Sequence, residues 1–125
     1  MTPHLNTLLG FLIALLILSG ATASPSVDVQ DFPADVTRGK SVYERHCLRC
    51  HGAGGWGDGQ DAAVLTVRPT NFHLFSSYLK SDEELQRIIE YGVVFSPMHA
   101  WQGELTENEI RDVLGYIRFL SQQGR

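Results

Sequence analysis

Cys47-Leu48-Arg49-Cys50-His51 holds the clearest chemistry in the chain. Two thiols three residues apart, with an imidazole directly after the second, have the spacing of a covalent c-type haem attachment site. On a helix, positions 47 and 50 stand one above the other on one face. They can then reach the two vinyl groups along one edge of a porphyrin. His51, one turn beyond Cys47, points back toward the iron as its proximal ligand. The same residues could also form a redox dithiol, part of a zinc site or a disulfide. A thioredoxin-like dithiol needs a βαβ context, which the pattern lacks. Structural zinc needs four ligands, and these are the only two cysteines.

Elements that could position this stretch follow on either side. Asp35 is placed to cap a first helix, in which Val36, Gly39, Tyr43 and Cys47 recur at spacings of three and four. That helix delivers its C-terminal end to the Cys-x-x-Cys-His site. Residues 52–59, Gly-Ala-Gly-Gly-Trp-Gly-Asp-Gly, cannot form a stable helix or strand interior. They lack the lysine and the strand–loop–helix setting of a phosphate-binding loop, and read as a tight loop running close under a flat cofactor. Trp56 within it either packs on the surface or shields that cofactor. Asp61–Val67 allows one helical turn, ended by Pro69.

Ser81-Asp82-Glu83-Glu84 starts a second helix as a capping box, with Leu85, Ile88 and Ile89 inside and Gly92 at its end. The third helix is capped by Thr106 and Glu109, with Leu105 and Ile110 as a hydrophobic staple. Its apolar stripe is Ile110, Val113, Leu114, Ile117 and Leu120, widened by Tyr116 and Phe119. Three helices and no strand pattern predict an all-α domain. A chain of this size is marginal on burial alone, and an apolar cofactor would supply its centre.

The 125 residues fit one domain, 43% are apolar, and 10 basic against 14 acidic residues give a net charge of −4. No cluster of Lys and Arg exists to neutralise phosphates, which excludes nucleic acid as a partner class. Leu5–Leu18 is almost wholly apolar, and Ala21-Thr22-Ala23 fits the small-x-small rule for signal-peptidase cleavage. Residues 1–23 are therefore expected to be a signal peptide, residues 24–34 a flexible leader and residues 35–125 the folded domain. The chain is then exported, to the periplasm. Without cleavage, residues 5–23 are near the minimum length that spans a bilayer and would anchor the domain to the membrane.

The ordered set resembles a class I monohaem cytochrome c. It consists of Cys47–Gly52, Gly57-Asp58-Gly59, Pro69, Ser96-Pro97-Met98 and a capped helix ending Tyr116-Ile117-Arg118-Phe119-Leu120. The resemblance spans residues 35–121. It implies a cytochrome c fold, with three main helices around one covalently bound haem c and terminal helices crossing at Gly39, Tyr43 and Tyr116. It implies Met98, the sole methionine besides Met1, as the sixth iron ligand. A thioether favours Fe(II) and raises the potential relative to a second imidazole. His99 stands where the family often has Pro; it either ligates iron itself or lies exposed beside the haem edge. His73 is a weaker candidate ligand, and His46 is expected to point off the haem face. Pro69 resembles the residue whose carbonyl accepts the proximal imidazole N–H. Arg68 would pair with a haem propionate, and Trp101 would wall the pocket or donate its indole N–H there. The implied function is single-electron transfer between a redox donor and a redox acceptor, through transient docking at the haem edge near Cys47, Cys50 and His99. With both axial positions filled, no enzyme activity is expected. The alternatives are a haem subunit or anchored domain of a larger respiratory enzyme, and a five-coordinate catalytic or gas-sensing haem protein.

Overall fold

The computed structural model describes residues 33–123. The expected signal peptide and all but the last two residues of the leader lie outside them. Five helical segments follow in order: α1 (Val36–His46), α2 (Leu48–His51), α3 (Phe75–Tyr78), α4 (Asp82–Tyr91) and α5 (Glu107–Gln122). Among the described residues there is no strand, only an isolated bridge between Gln102 and Leu105. The domain is all-α as expected, with α1, α4 and α5 as main helices and α2 and α3 as single turns. No helix of the described residues is long and apolar enough to cross a membrane.

α1 starts where Asp35 accepts hydrogen bonds from the N–H groups of Thr37 and Arg38, each at 3.0 Å. Its buried face is Gly39, Val42 and Tyr43. Val36, expected on that face, stays 38% exposed because it sits at the rim of the crossing beside Gly115. α5 carries the full capping box. The Glu109 N–H donates to Thr106 Oγ1 at 3.2 Å, and the Thr106 N–H donates to Glu109 Oε2 at 3.0 Å. Leu105 and Ile110 are both buried on either side of this cap.

The box expected on α4 is half formed. Ser81 Oγ accepts the Glu84 N–H, but the Glu84 carboxylate takes Lys80 Nζ at 2.8 Å instead of returning to Ser81. The helical turn expected over Asp61–Val67 is a run of tight turns, closed by Ala62 N–H to Gly59 O and Val64 N–H to Asp61 O. Asp61 is held to Arg49 by its side chain and its backbone N–H, which fixes the chain in that turned path.

α1 and α5 cross at Gly39. A Cβ there would run into the Asp112 carbonyl and lie 3.1 Å from Tyr116 Cβ, so the missing side chain permits the approach. Tyr43 packs edge-on to Tyr116 with centroids 5.3 Å apart. Beside the crossing, the fully buried Asp112 carboxylate accepts the Asp35 N–H at 2.8 Å and the Arg38 Nε–H. The N-cap residue of α1 is thereby tied to α5. The core gathers around Val42, Tyr43, Ile89, Ile110, Val113 and Leu120.

Candidate haem site

The attachment stretch is a single helical turn. α1 stops at His46, and the Cys47 carbonyl accepts the N–H groups of Cys50 at 3.2 Å and His51 at 2.9 Å. Cys47 and Cys50 are half-buried free thiols on the wall of one cavity. Burial, with a smaller contribution from Cys50, pushes the Cys47 thiol up to about 12.

His51 lines the same cavity. Its Nδ1 lies 3.3 Å from the Thr70 carbonyl, and its ring stacks on Phe72 with centroids 4.8 Å apart and planes at 17°. The carbonyl expected from Pro69 thus comes from the next residue. Pro69 O is turned instead onto Gly57, where a Cβ would collide with it. Burial holds the imidazole below its ordinary value, and the Thr70 contact opposes this. A proton on Nδ1 donated to Thr70 leaves a lone pair on Nε2, the arrangement of a metal-binding imidazole.

The glycine loop does not run under the cavity; it braces the attachment turn from behind. Gly57 N–H donates to His51 O at 2.9 Å, and Gly59 N–H to Cys50 O at 3.2 Å. A side chain on Gly59 would strike the Arg49 backbone, which explains a glycine there. Trp56 stacks on His73 at 3.5 Å and 9°, and His73 Nε2 lies 2.8 Å from Gly54 O. Both rings serve loop packing and neither lines the cavity. The buried Tyr43 hydroxyl donates to Gly52 O at 2.7 Å, fixing the residue that ends the turn.

Met98 reaches the cavity from a separate segment that is closed on itself and tied back to α4 at its far end. Val93 N–H donates to Met98 O at 2.9 Å, Met98 N–H to Ser96 Oγ at 3.1 Å, and Trp101 N–H to Ile89 O at 3.1 Å. The loop lies on Gly92, where a Cβ would come within 2.6 Å of Met98 O. Phe95, at its tip, is almost fully exposed at 97% and adopts φ 61°, the left-handed region that bulky residues rarely occupy. Trp101 is buried and lines the cavity. The rings of His46 and His99 pack on it, with centroids at 5.1 and 4.2 Å. His46, expected at the surface, is exposed, and its ring borders the cavity where it packs on Trp101. His99 lines it too, remains largely exposed, and lies 3.9 Å from Glu104.

Arg68 is exposed at the cavity and makes no ion pair with the described residues. Lys80 and Arg118 also line it, but Lys80 binds Glu84, and Arg118 binds Asp82 and the Lys80 carbonyl. Between the donor groups the walls are apolar: Leu65, Leu85, Ile88, Val113 and Ile117. Two thiols one turn apart, an imidazole with Nε2 available and a thioether converge on a single apolar cavity. That set fits a flat iron macrocycle held by two thioether bonds. Among the described residues no three His, Cys, Asp or Glu side chains gather as a metal cluster, so the zinc reading gains no further ligands. Sequence reasoning missed Thr70, because a backbone carbonyl leaves no residue-type signal. It also missed Phe72, whose partner lies 21 positions away.

Residues 34–117 match the family described as cytochrome c oxidase, cbb3-type, subunit III. No curated protein matches the chain. Among solved structures it is similar to a chain of a reducing HAO-like protein complex from Kuenenia stuttgartiensis, with 33% identity and a TM-score of 0.61. The match covers 66% of this chain and 41% of that one, so this chain spans less than half of that neighbour. The chain belongs to the matched family: it is a c-type cytochrome domain whose cofactor is a covalently bound haem and whose chemistry is electron transfer.

Proposed function

We propose that this domain is an exported single-electron carrier, its haem bound through Cys47 and Cys50 and its iron held by His51 and Met98. The observation that carries this reading is the convergence of those four side chains on one apolar-walled cavity. When bound, the haem supplies a reversible one-electron change at iron. The chain's own residues set the conditions for it. The His51 imidazole, held through Thr70, provides a neutral nitrogen donor. The Met98 thioether favours the reduced state. The apolar walls exclude water and reduce the reorganisation that accompanies each electron.

Arg68, free of acidic partners among the described residues, is placed to pair with a propionate. Trp101 closes the same cavity; Pro69 contributes its place in the wall rather than a hydrogen bond to His51. Redox donor and acceptor dock transiently at the haem edge near Cys47, Cys50 and the largely exposed His99. Periplasmic export through residues 1–23, or anchoring through residues 5–23, belongs to the same reading.

Carbon monoxide tests it. The ferrous protein should bind the gas only slowly, because Met98 must first leave the iron. Rapid, stoichiometric binding with the spectrum of an open iron position would support the five-coordinate catalytic or sensing reading instead. A second reading, a haem subunit of a larger redox assembly, is favoured by the family description and by the solved neighbour being part of a complex. A haem-bearing chain that elutes from its native extract only with larger redox proteins would establish it. Elution at the size of the isolated domain would favour the free carrier.

A further inference from the structure

The proximal imidazole has two neighbours that differ in kind. Thr70 offers a single carbonyl at 3.3 Å, which fixes one nitrogen but leaves the ring able to swing about the line through its two nitrogens. Phe72 offers a flat face, nearly parallel to the imidazole at 17° and 4.8 Å between centroids. A parallel face resists that swing, because rotation drives one edge of the imidazole into the phenyl ring.

Phe72 is itself held. Its N–H donates to Gly55 O at 2.8 Å, and its ring lies over Gly55, where a Cβ would come within 2.6 Å of Cδ2. Gly55 adopts φ +73°, so the loop both accommodates the ring and holds its backbone. On a further side Tyr43 meets Phe72 edge-on at 6.5 Å, and Tyr43 is locked by its bond to Gly52 O.

We propose that Phe72 is a positioning residue that sets the rotational orientation of the His51 imidazole about its bond to iron. The glycine at position 55 and Tyr43 hold the phenyl ring against it. The inference rests on the reading of His51 as the proximal ligand, and it adds what determines the plane of that ligand. The plane matters because it directs the unpaired electron of Fe(III) toward one pair of pyrrole rings or the other.

The experiment uses the holoprotein. In the ferric state, the spread of the paramagnetically shifted haem-methyl proton resonances reports the ligand plane. Phe72→Leu keeps apolar bulk and loses the flat face; it should change the order or spread of those resonances. Phe72→Tyr keeps the face and should restore the wild-type pattern. A purely structural role would lower thermal stability in Phe72→Leu and leave the pattern in place, and that result overturns the proposal. If Phe72→Leu does not accumulate, the diamagnetic ferrous wild type still decides. Cross-relaxation between the Phe72 ring protons and the His51 ring protons supports the stack, and its absence overturns it. A wild type with no upfield-shifted imidazole ligand resonances would overturn both this proposal and the assignment of His51, and is recognisable as such without any variant.

Discussion

Asp112 is fully buried on α5 and holds two donors from the far end of the chain, the Asp35 N–H and the Arg38 Nε–H. Asp112→Ala leaves the Asp35 N–H without its acceptor and should cost about 1–3 kcal/mol, measured as a lower denaturant midpoint. The haem spectrum should be unchanged, since Asp112 does not line the cavity. Tyr43→Phe removes the donor to Gly52 O and should also destabilise, by about 1–3 kcal/mol. These residues differ in how far the sequence announces them. Cys47, Cys50 and His51, the proposed attachment and proximal residues, stand out in the sequence because their types and spacing match that chemistry directly. Asp112 is not, because an acid on an amphipathic helix ordinarily faces water and its partners lie 74 and 77 positions away. Thr70 escapes for a different reason, since any residue could supply its carbonyl.

Among the elements, α1 and α5 depend on their crossing at Gly39. Gly39→Ala forces a methyl group against the Asp112 carbonyl. It should lower stability by about 1–3 kcal/mol, as overpacking does, read by thermal unfolding of the holoprotein. The cap of α5 makes a pH prediction. Hydrogen bonds from the Thr106 backbone and then its side chain hold the Glu109 carboxyl below its ordinary 4.5. A carboxyl depressed in the folded state adds stability above its unfolded pKa, and that stability is lost as pH falls through the folded pKa. Glu109→Gln should therefore be less stable than wild type at pH 7, with the difference shrinking below pH 4.5. An unchanged difference across that range would contradict the assignment. The cap residues Asp35, Ser81 and Thr106 made the starts of all three main helices readable. The single turn at Phe75–Tyr78 was not, because four residues carry no period and its buried Ser77 looks like a loop residue.

The molecule as a whole is built around what the cavity receives. α4, α5, the attachment turn and the Met98 loop all contribute apolar walls to it, and on the proposed reading the cofactor completes the core of a domain too small to be comfortable without one. The doubly substituted chain Cys47→Ser/Cys50→Ser should lose retained haem after acid–organic extraction and melt at a lower temperature than the holoprotein. Phe75, Tyr78, Leu79, Val94 and Phe95 are exposed and do not line the cavity. The most direct measurement is the red-region absorption of the ferric holoprotein, wild type against Met98→Ala. Coordination by His51 and Met98 predicts a weak thioether–Fe(III) charge-transfer band in the wild type that disappears in the variant, with the haem still covalently attached. A wild type without that band, or a variant that retains it, would contradict Met98 as the sixth ligand.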